Sequence, residues 1–297
     1  MDLYGSALAL VNALPLPRGR DRLRLAILRR CRARGNRVAV RLHAGCRMVL
    51  DPHDAMTIHL VRDPEPGLRR LLARVLRRGD SFVDVGANWG YYTLLAARRV
   101  GVEGSVTAFE PEPYNHGILL ENTLRAGPAR IRVHAAAVGE HEGVALIRRS
   151  TDRPSGQASM VVRDAGQASE SEVPVVTLDA CCVCPAPPGG LCVLKVDVEG
   201  CEWAVFRGAR QALSSDRRPV IICELNNQTS LAASYRPTEM LAWLNGEHGY
   251  DAYHIHETGH VSPLGAHDDA SPLVYEVLLV SGEAQRQALA NRGVRGL

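Results

Sequence analysis

Phe82-Val83-Asp84-Val85-Gly86-Ala87-Asn88-Trp89-Gly90-Tyr91-Tyr92-Thr93, followed by Ser105-Val106-Thr107-Ala108-Phe109-Glu110-Pro111, decides the fold of this chain. An apolar strand carrying Asp84 runs into a turn with two glycines, a helix follows, and a second apolar strand ends at an acid. Gly86 and Gly90 let the backbone turn tightly where a side chain would obstruct it. Glu110 follows about 20 residues after that turn, the interval at which an acid can hold a pair of ribose hydroxyls. The stretch therefore reads as half of a nucleotide-binding βαβ unit.

The glycine spacing departs from G-x-G-x-x-G, and Asp84 stands where a dinucleotide would bring its pyrophosphate, so carboxylate would face phosphate in a partly dry pocket. A cofactor without phosphates suits the loop better. S-adenosylmethionine (SAM) offers an adenosine for Glu110, an ammonium for the acidic loop and a positive sulfonium favoured by a carboxylate-lined strand end. Methyl transfer is thus expected ahead of hydride transfer by an NAD-dependent dehydrogenase.

Outward from this unit, strands and helices alternate, which predicts an α/β domain with a mostly parallel sheet covered by helices on both faces. The strands are expected at Phe82 to Val85, Ser105 to Phe109, Ile131 to Ala135, Leu191 to Val196 and Val220 to Cys223, with Glu224 ending the last. Helices are expected over Tyr91 to Arg99, Pro113 to Arg125, Trp203 to Leu213 and Thr238 to Asn245. Asp251 to Ile255 and Val274 to Val280 close the sheet as an antiparallel hairpin around a loop from His256 to Pro272. A strand over Val144 to Arg148 and a Ser-, Gly-, Asp- and Gln-rich stretch from Ser150 to Ser171 break the alternation and read as a lid-like insertion, about 140–176. Ahead of the unit, residues 1–66 read as an N-terminal cap on a domain of residues 67–297: a basic amphipathic helix from Arg18 to Arg34, then a hairpin from Arg37 to Leu50. A further helix over Leu68 to Arg78, stopped by Gly79, opens the domain.

At 297 residues and 46% hydrophobic, the chain has enough apolar content for one large core. No apolar run nears the roughly 20 residues that span a bilayer, and Ala7 to Leu16 lacks the basic flank and cleavage pattern of a signal peptide, so a cytoplasmic protein without membrane contact is expected. Eight cysteines in a chain of this size suit reduced thiols; Cys181-x-x-Cys184 lacks a second pair to complete a zinc site. A net charge of +3 does not imply nucleic acid. The arginines of the N-terminal helix leave a nucleic-acid methyltransferase as the alternative, although no Asn-Pro-Pro-Tyr loop or Pro-Cys nucleophile occurs.

Lys195 is the single lysine among 35 Lys+Arg, and it falls in Leu194-Lys195-Val196-Asp197-Val198-Glu199-Gly200. On an extended strand Lys195, Asp197 and Glu199 project to one side, at the carboxyl end where open α/β sheets bind ligands. Ionisable groups in such a place are costly unless they pair or work. Asp197 is the leading base or substrate-hydroxyl ligand, with Lys195 pairing with it; Glu199 serves the same site or caps the following helix. Glu224, followed by Asn226 and Asn227, is a substrate contact and with Asp197 could hold magnesium. His254 is a second base or substrate contact; Ser155, Gln157 and Ser159 are polar contacts from the lid.

Asp84 to Tyr92, Glu110-Pro111, Ala137-Val138-Gly139, Lys195 to Gly200 and Pro219 to Glu224, in that order, resemble the FkbM family of SAM-dependent methyltransferases. The resemblance covers about Glu65 to Val280. It implies a class I methyltransferase fold, SAM as donor and O-methylation of a hydroxyl on a sugar, cyclitol or polyketide-like natural product. It further implies that Asp84, Gly86, Asn88 and Gly90 form the methionine-binding loop. Glu110, beside Pro111, would be the ribose ligand, and Ala136, Ala137 and Val138 the adenine wall. Trp89 stands where many relatives carry a smaller aliphatic residue, and the acidic position near Glu65 lacks a preceding aromatic; both bear on pocket shape. A non-catalytic SAM-binding protein is the remaining alternative, opposed by the intact Lys195, Asp197 and Glu199.

Overall fold

The computed structural model describes residues 6–8, 11, 20–32, 37–63, 65–126, 129–150, 168–181, 188–265 and 274–297. The arginine-rich segment forms α1 (Arg20–Arg32), which buries Leu28 and Cys31 while Leu23 stays exposed. Alternating residues then make the hairpin β1 (Val38–Arg41) and β2 (Arg47–Leu50), paired antiparallel with Val38 opposite Leu50. A short helix absent from the sequence reading, α2 (Met56–Val61), follows, and α3 (Pro66–Val75) starts on a proline whose missing N–H costs nothing at a helix start.

Every residue of β3 (Ser81–Val85) is buried, as a central parallel strand requires. Thereafter come α4 (Tyr91–Val100), β4 (Ser105–Phe109), α5 (Pro113–Thr123), β5 (Arg130–His134), β6 (Ala137–Val138), β7 (Gly143–Ser150), β8 (Ala168–Val176) and β9 (Cys192–Val196). The expected helix over Trp203 to Leu213 is two, α6 (Glu202–Arg207) and α7 (Arg210–Ser214), broken at Gly208, where a side chain would strike the Gly139 carbonyl. β10 (Val220–Asn226) runs two residues beyond Glu224. The chain continues through α8 (Asn227–Ala232), α9 (Pro237–His248), β11 (Tyr250–Ile255), β12 (Val261–Pro263), β13 (Val274–Ser281) and α10 (Gly282–Ala290).

The main sheet has eight strands in the order β12-β11-β13-β10-β9-β3-β4-β5. β10, β9, β3, β4 and β5 run parallel to one another, and β13 enters between β10 and β11 antiparallel to both. The expected class I architecture, mostly parallel with an antiparallel C-terminal hairpin, is what the chain adopts. Of the expected lid-like insertion, residues 151–167 lie outside the described residues; at its two ends β8 pairs antiparallel with β7 over Ala168 to Val175 and parallel with β6, giving a three-stranded side sheet. Strand character in Ala168–Val176 was hidden because Ser169, Glu170, Ser171 and Glu172 follow one another without an apolar residue between them, so no period-two apolar pattern shows until Val173.

Two buried polar ties fix the outer pieces. Asn122 accepts from the Val49 N–H at 2.6 Å and donates to the Trp89 carbonyl at 2.9 Å, joining the N-terminal hairpin to the loop after β3. Beneath the sheet, Arg292 pairs with Asp80 with both side chains nearly inaccessible, and donates to the Val75 carbonyl at 2.6 Å. Asp80 also accepts from the Leu191 and Arg77 amides, so the start of β3, the end of α3 and the segment after α10 share one carboxylate.

Candidate active site

The carboxyl ends of β3, β4, β9 and β10 open into one cavity of about 280 Å³, where the strand order of a doubly wound sheet places ligands. Its floor is laid by register. Asp84 pairs across the sheet with Lys195, and Lys195 with Ile222; two residues further along each strand, just past the last pair Cys223 and Val196, come Glu224 and Asp197, and on its other side Glu224 faces Glu276.

At the β3 end, Gly86 turns with φ +82°, and a Cβ there would lie 1.8 Å from the Asp197 carbonyl oxygen, so only glycine admits the β9 loop. The Gly86 and Ala87 amides donate to the Phe109 carbonyl, clamping the turn to β4. Asn88 is left-handed (φ +50°); its side chain accepts from the Trp89 amide at 2.8 Å and its own N–H donates to Glu110. Gly90, expected in the methionine loop, caps α4 with φ +88° close to Leu119 and is not among the residues that line the cavity.

Asp84 is fully buried. One oxygen accepts from the Thr93 hydroxyl at 2.6 Å, and the other has no hydrogen-bond partner among the described residues although Asp84 belongs to the cavity wall. Burial raises its pKa, opposed by Lys195 and the Thr93 hydrogen bond. Glu110 accepts from Asn88 N–H at 2.8 Å through one oxygen and from Glu112 N–H at 3.0 Å through the other; burial pushes it up to about 7 against those two bonds. Beyond it, Pro111, Phe109, Ala136, Ala137 and Val138 form a largely apolar wall with Asn115 at its edge, and Ile147 of β7 closes that side.

Opposite stands the ionisable group of the β9 loop. The Lys195 ammonium, only 4% exposed, donates to Asp197 at 2.8 Å and lies 5.1 Å from the Tyr92 ring centre. Burial pulls its pKa down, but Asp197, Asp84 and Glu65 outweigh that, so it stays charged. β9 ends at Val196 and Glu199 is left-handed (φ +53°), so strand alternation does not carry Glu199 to the site; the loop does. Glu199 is pushed up to about 8 by burial, then by Asp197 and Glu202. Glu202 takes the helix-start role considered for Glu199, accepting from the Val198 and Gly200 amides and from the Tyr235 hydroxyl at 2.7 Å. Glu224 is pushed up to about 9 by burial, Asp197, Glu199 and Glu65.

Glu65, Met56, His59 and Leu60, from the end of the N-terminal segment and from α2, roof this end. Glu65 accepts from the Tyr92 hydroxyl and hydrogen-bonds Glu276, whose carboxyl is raised well above the ordinary range by burial and then by Glu65. Sequence reasoning missed Glu276 and Glu202; a lone acid in the apolar run Val274 to Val280 was the available signal for the first. His254 lies on β11, three strands from β9 and so roughly 14 Å across the sheet. It packs against His256 and Tyr275 and is not among the residues that line the cavity. Among the described residues no three His, Cys, Asp or Glu form a metal-holding group, and the Asn226 side chain is spent capping α8 rather than turned toward Glu224. Ser155, Gln157, Ser159 and Cys184 lie outside the described residues.

The sequence model of the methyltransferase FkbM domain matches residues 84–252. The chain belongs to the FkbM methyltransferase family. With that family it is a SAM-dependent methyltransferase. No curated protein matches the sequence. Similar solved structures include an rRNA methylase from Streptococcus thermophilus (12% identity, 73% of this chain, 95% of that one, TM-score 0.40). TYW2 from M. jannaschii in complex with AdoMet is 13% identical over 82% of this chain and 84% of that one, TM-score 0.43. A SAM-dependent O-methyltransferase from Thermotoga maritima is 13% identical over 83% and 77%, TM-score 0.37.

The cavity fits the family's cofactor. Asp84 has a buried oxygen without a donor among the described residues, Glu110 retains acceptor capacity on both oxygens, and Phe109, Pro111 and Ala136 to Val138 give the cavity an apolar wall. Lys195 and His59 are the only basic residues on the described lining, against seven acids, a donor set suited to a cationic cofactor and unsuited to phosphates.

Proposed function

We propose that this FkbM-family enzyme methylates a hydroxyl oxygen of a small-molecule acceptor of the sugar, cyclitol or polyketide-like kind, in secondary metabolism. The observation that carries the reading is the Lys195–Asp197 pair, 2.8 Å apart on the cavity floor beside Asp84. When bound, SAM supplies an electrophilic methyl group displaced in line from a sulfonium, leaving a neutral thioether. Asp84 and the Gly86 turn hold its methionine end, Glu110 the ribose, and Ala136 to Val138 the adenine. Asp197 orients the acceptor hydroxyl and accepts its proton. Lys195 keeps Asp197 ionised in the dry site and steadies negative charge developing on the acceptor oxygen. A positioned base contributes ~10²–10⁴ in rate, and alignment of the two reactants more.

In this reading residues 1–66 are a cap that closes the acceptor end, supported by Met56, His59, Leu60 and Glu65 on the cavity lining. Free thiols at Cys46, Cys201 and Cys223 support a reducing, cytoplasmic setting, and no described helix is long and apolar enough to cross a membrane. The test has two stages. Calorimetry with SAM, S-adenosylhomocysteine (SAH) and NAD should show binding of the first two only. A panel of hydroxylated acceptors is then screened for SAH release, with Asp197→Asn as the control. That variant should keep SAM binding and lose most turnover; near-normal turnover removes Asp197 from catalysis.

A further inference from the structure

The acceptor end of the cavity is more acidic than a hydroxyl ligand needs. Glu65, Asp197, Glu199 and Glu224 line it, Glu276 stands directly behind Glu224, and Lys195 is the sole lysine or arginine among the described lining. That lysine is already committed, bonded to Asp197 and shared electrostatically with Asp84. Asp197 is thus paired and Glu65 is held by Tyr92 and Glu276, whereas the Glu224 side chain makes no hydrogen bond among the described residues. These carboxyls come from four separate places: the segment before α3, the β9 loop, β10 and β13. No local rule of helix or strand capping gathers them. One fully buried oxygen of Asp84, on the floor of the same cavity, has no hydrogen-bond partner among the described residues.

We infer that the acceptor carries a protonated nitrogen, as an amino sugar or aminocyclitol does, and that Glu224 with Glu199 receives that ammonium while the neighbouring hydroxyl meets Asp197. This deepens the O-methylation reading and rests on it. The chemistry is consistent: an ammonium held between carboxylates has no lone pair, so the nitrogen is protected and the methyl goes to oxygen. Without a ligand, burial and mutual repulsion keep protons on Glu199 and Glu224, at about 8 and about 9. The groups facing Glu224 are Asp197, Glu199, Glu65 and Glu276, with Lys195 as the only opposing charge. An arriving ammonium reverses that balance and expels protons.

The experiment compares 2-deoxystreptamine with myo-inositol, two cyclitols of similar size that differ in their amines, against the SAH-saturated enzyme at pH 7.5 by calorimetry in two buffers of different ionisation heat. The expected result is at least tenfold tighter binding of the amine, accompanied by proton release that the neutral cyclitol does not cause. Glu224→Gln should shrink the preference to less than threefold while SAH affinity and melting temperature stay near wild type. Equal or tighter binding of inositol, no amine binding at 10 mM, amine binding without proton release, or a preference untouched by Glu224→Gln each overturns the inference. If Glu224→Gln fails to fold, Glu199→Gln carries the same test. Methyl found on nitrogen rather than oxygen overturns the O-methylation reading and, with it, the protected ammonium. A failed amine preference beside intact SAH binding and O-methylated neutral products overturns only the inference.

Discussion

Glu110→Gln isolates the ribose ligand without changing its size. In the wild type one carboxylate oxygen accepts from Asn88 N–H at 2.8 Å and the other from Glu112 N–H at 3.0 Å, leaving a lone pair on each for a ribose hydroxyl. Glutamine turns one oxygen into an NH₂, so one hydroxyl loses its acceptor, the other bonds a neutral carbonyl, and one backbone amide faces a donor. A hydrogen bond to a charged group is worth ~1.5–3 kcal/mol. Losing one and weakening the other comes to roughly 3 kcal/mol, or on the order of 100-fold in Kd. Burial has raised Glu110 to about 7, and the ribose hydroxyls bind its ionised form. Wild-type affinity for SAM should therefore fall as pH drops through 7, by up to about tenfold per unit below it, with proton release on binding near neutrality. The glutamine variant should bind weakly at all pH values. Calorimetry at pH 6, 7 and 8, with thermal unfolding as a check on folding, reads both effects. Binding within threefold of wild type at pH 8, or the same pH slope in the variant, would refute the assignment.

Gly86→Ala should abolish SAM binding and lower the melting temperature, because its Cβ would overlap the Asp197 carbonyl and adopt φ +82°; a left-handed residue alone costs ~1–2 kcal/mol. Lys195→Met leaves Asp84 and Asp197 without their cation, and breaking such a buried pair costs ~3–5 kcal/mol. Asp84 already has a folded pKa above its unfolded value, and losing the lysine raises it further; that contribution to stability is present below the unfolded pKa and is lost as pH rises through the folded one. The deficit measured by denaturant unfolding should shrink from pH 8 to pH 5, and a constant deficit would contradict it. Arg292→Met strands Asp80 below the sheet and should cost about 3 kcal/mol or more in stability, with SAM affinity in the surviving folded protein unchanged.

Much of the site was legible because its parts are local. The β3 turn, Glu110 and the β9 acids each sit at the end of a buried apolar run, and parallel register brings such ends together. Glu276 was not legible as a site residue, because its place opposite Glu224 depends on β13 entering the sheet between two earlier strands. Glu199 was placed in the cavity by a faulty route: strand alternation stops at Val196, and the left-handed backbone at Glu199 and Gly200 completes the turn. Gly90 and His254 stand off the cavity lining, one at the start of α4 and the other three strands from β9, positions that depend on the turn and the strand order rather than on local sequence. α2 escaped notice because six residues give too short a pattern to show helical periodicity.

The late insertion of β13 also sets a timetable for making the enzyme. Chains emerge N-terminus first at ~5–20 residues per second, so roughly 50 residues, or about 3–10 s, separate the end of β10 from the start of β13. Through that interval β10 presents an open edge of unpaired amides and carbonyls, the kind of surface on which other chains add. The cofactor loop exists by then, but Glu224 still lacks the strand that backs it. A ribosome stalled before Val274 would hold a protein with its SAM loop built, its acceptor end unfinished and its most adhesive edge in solvent.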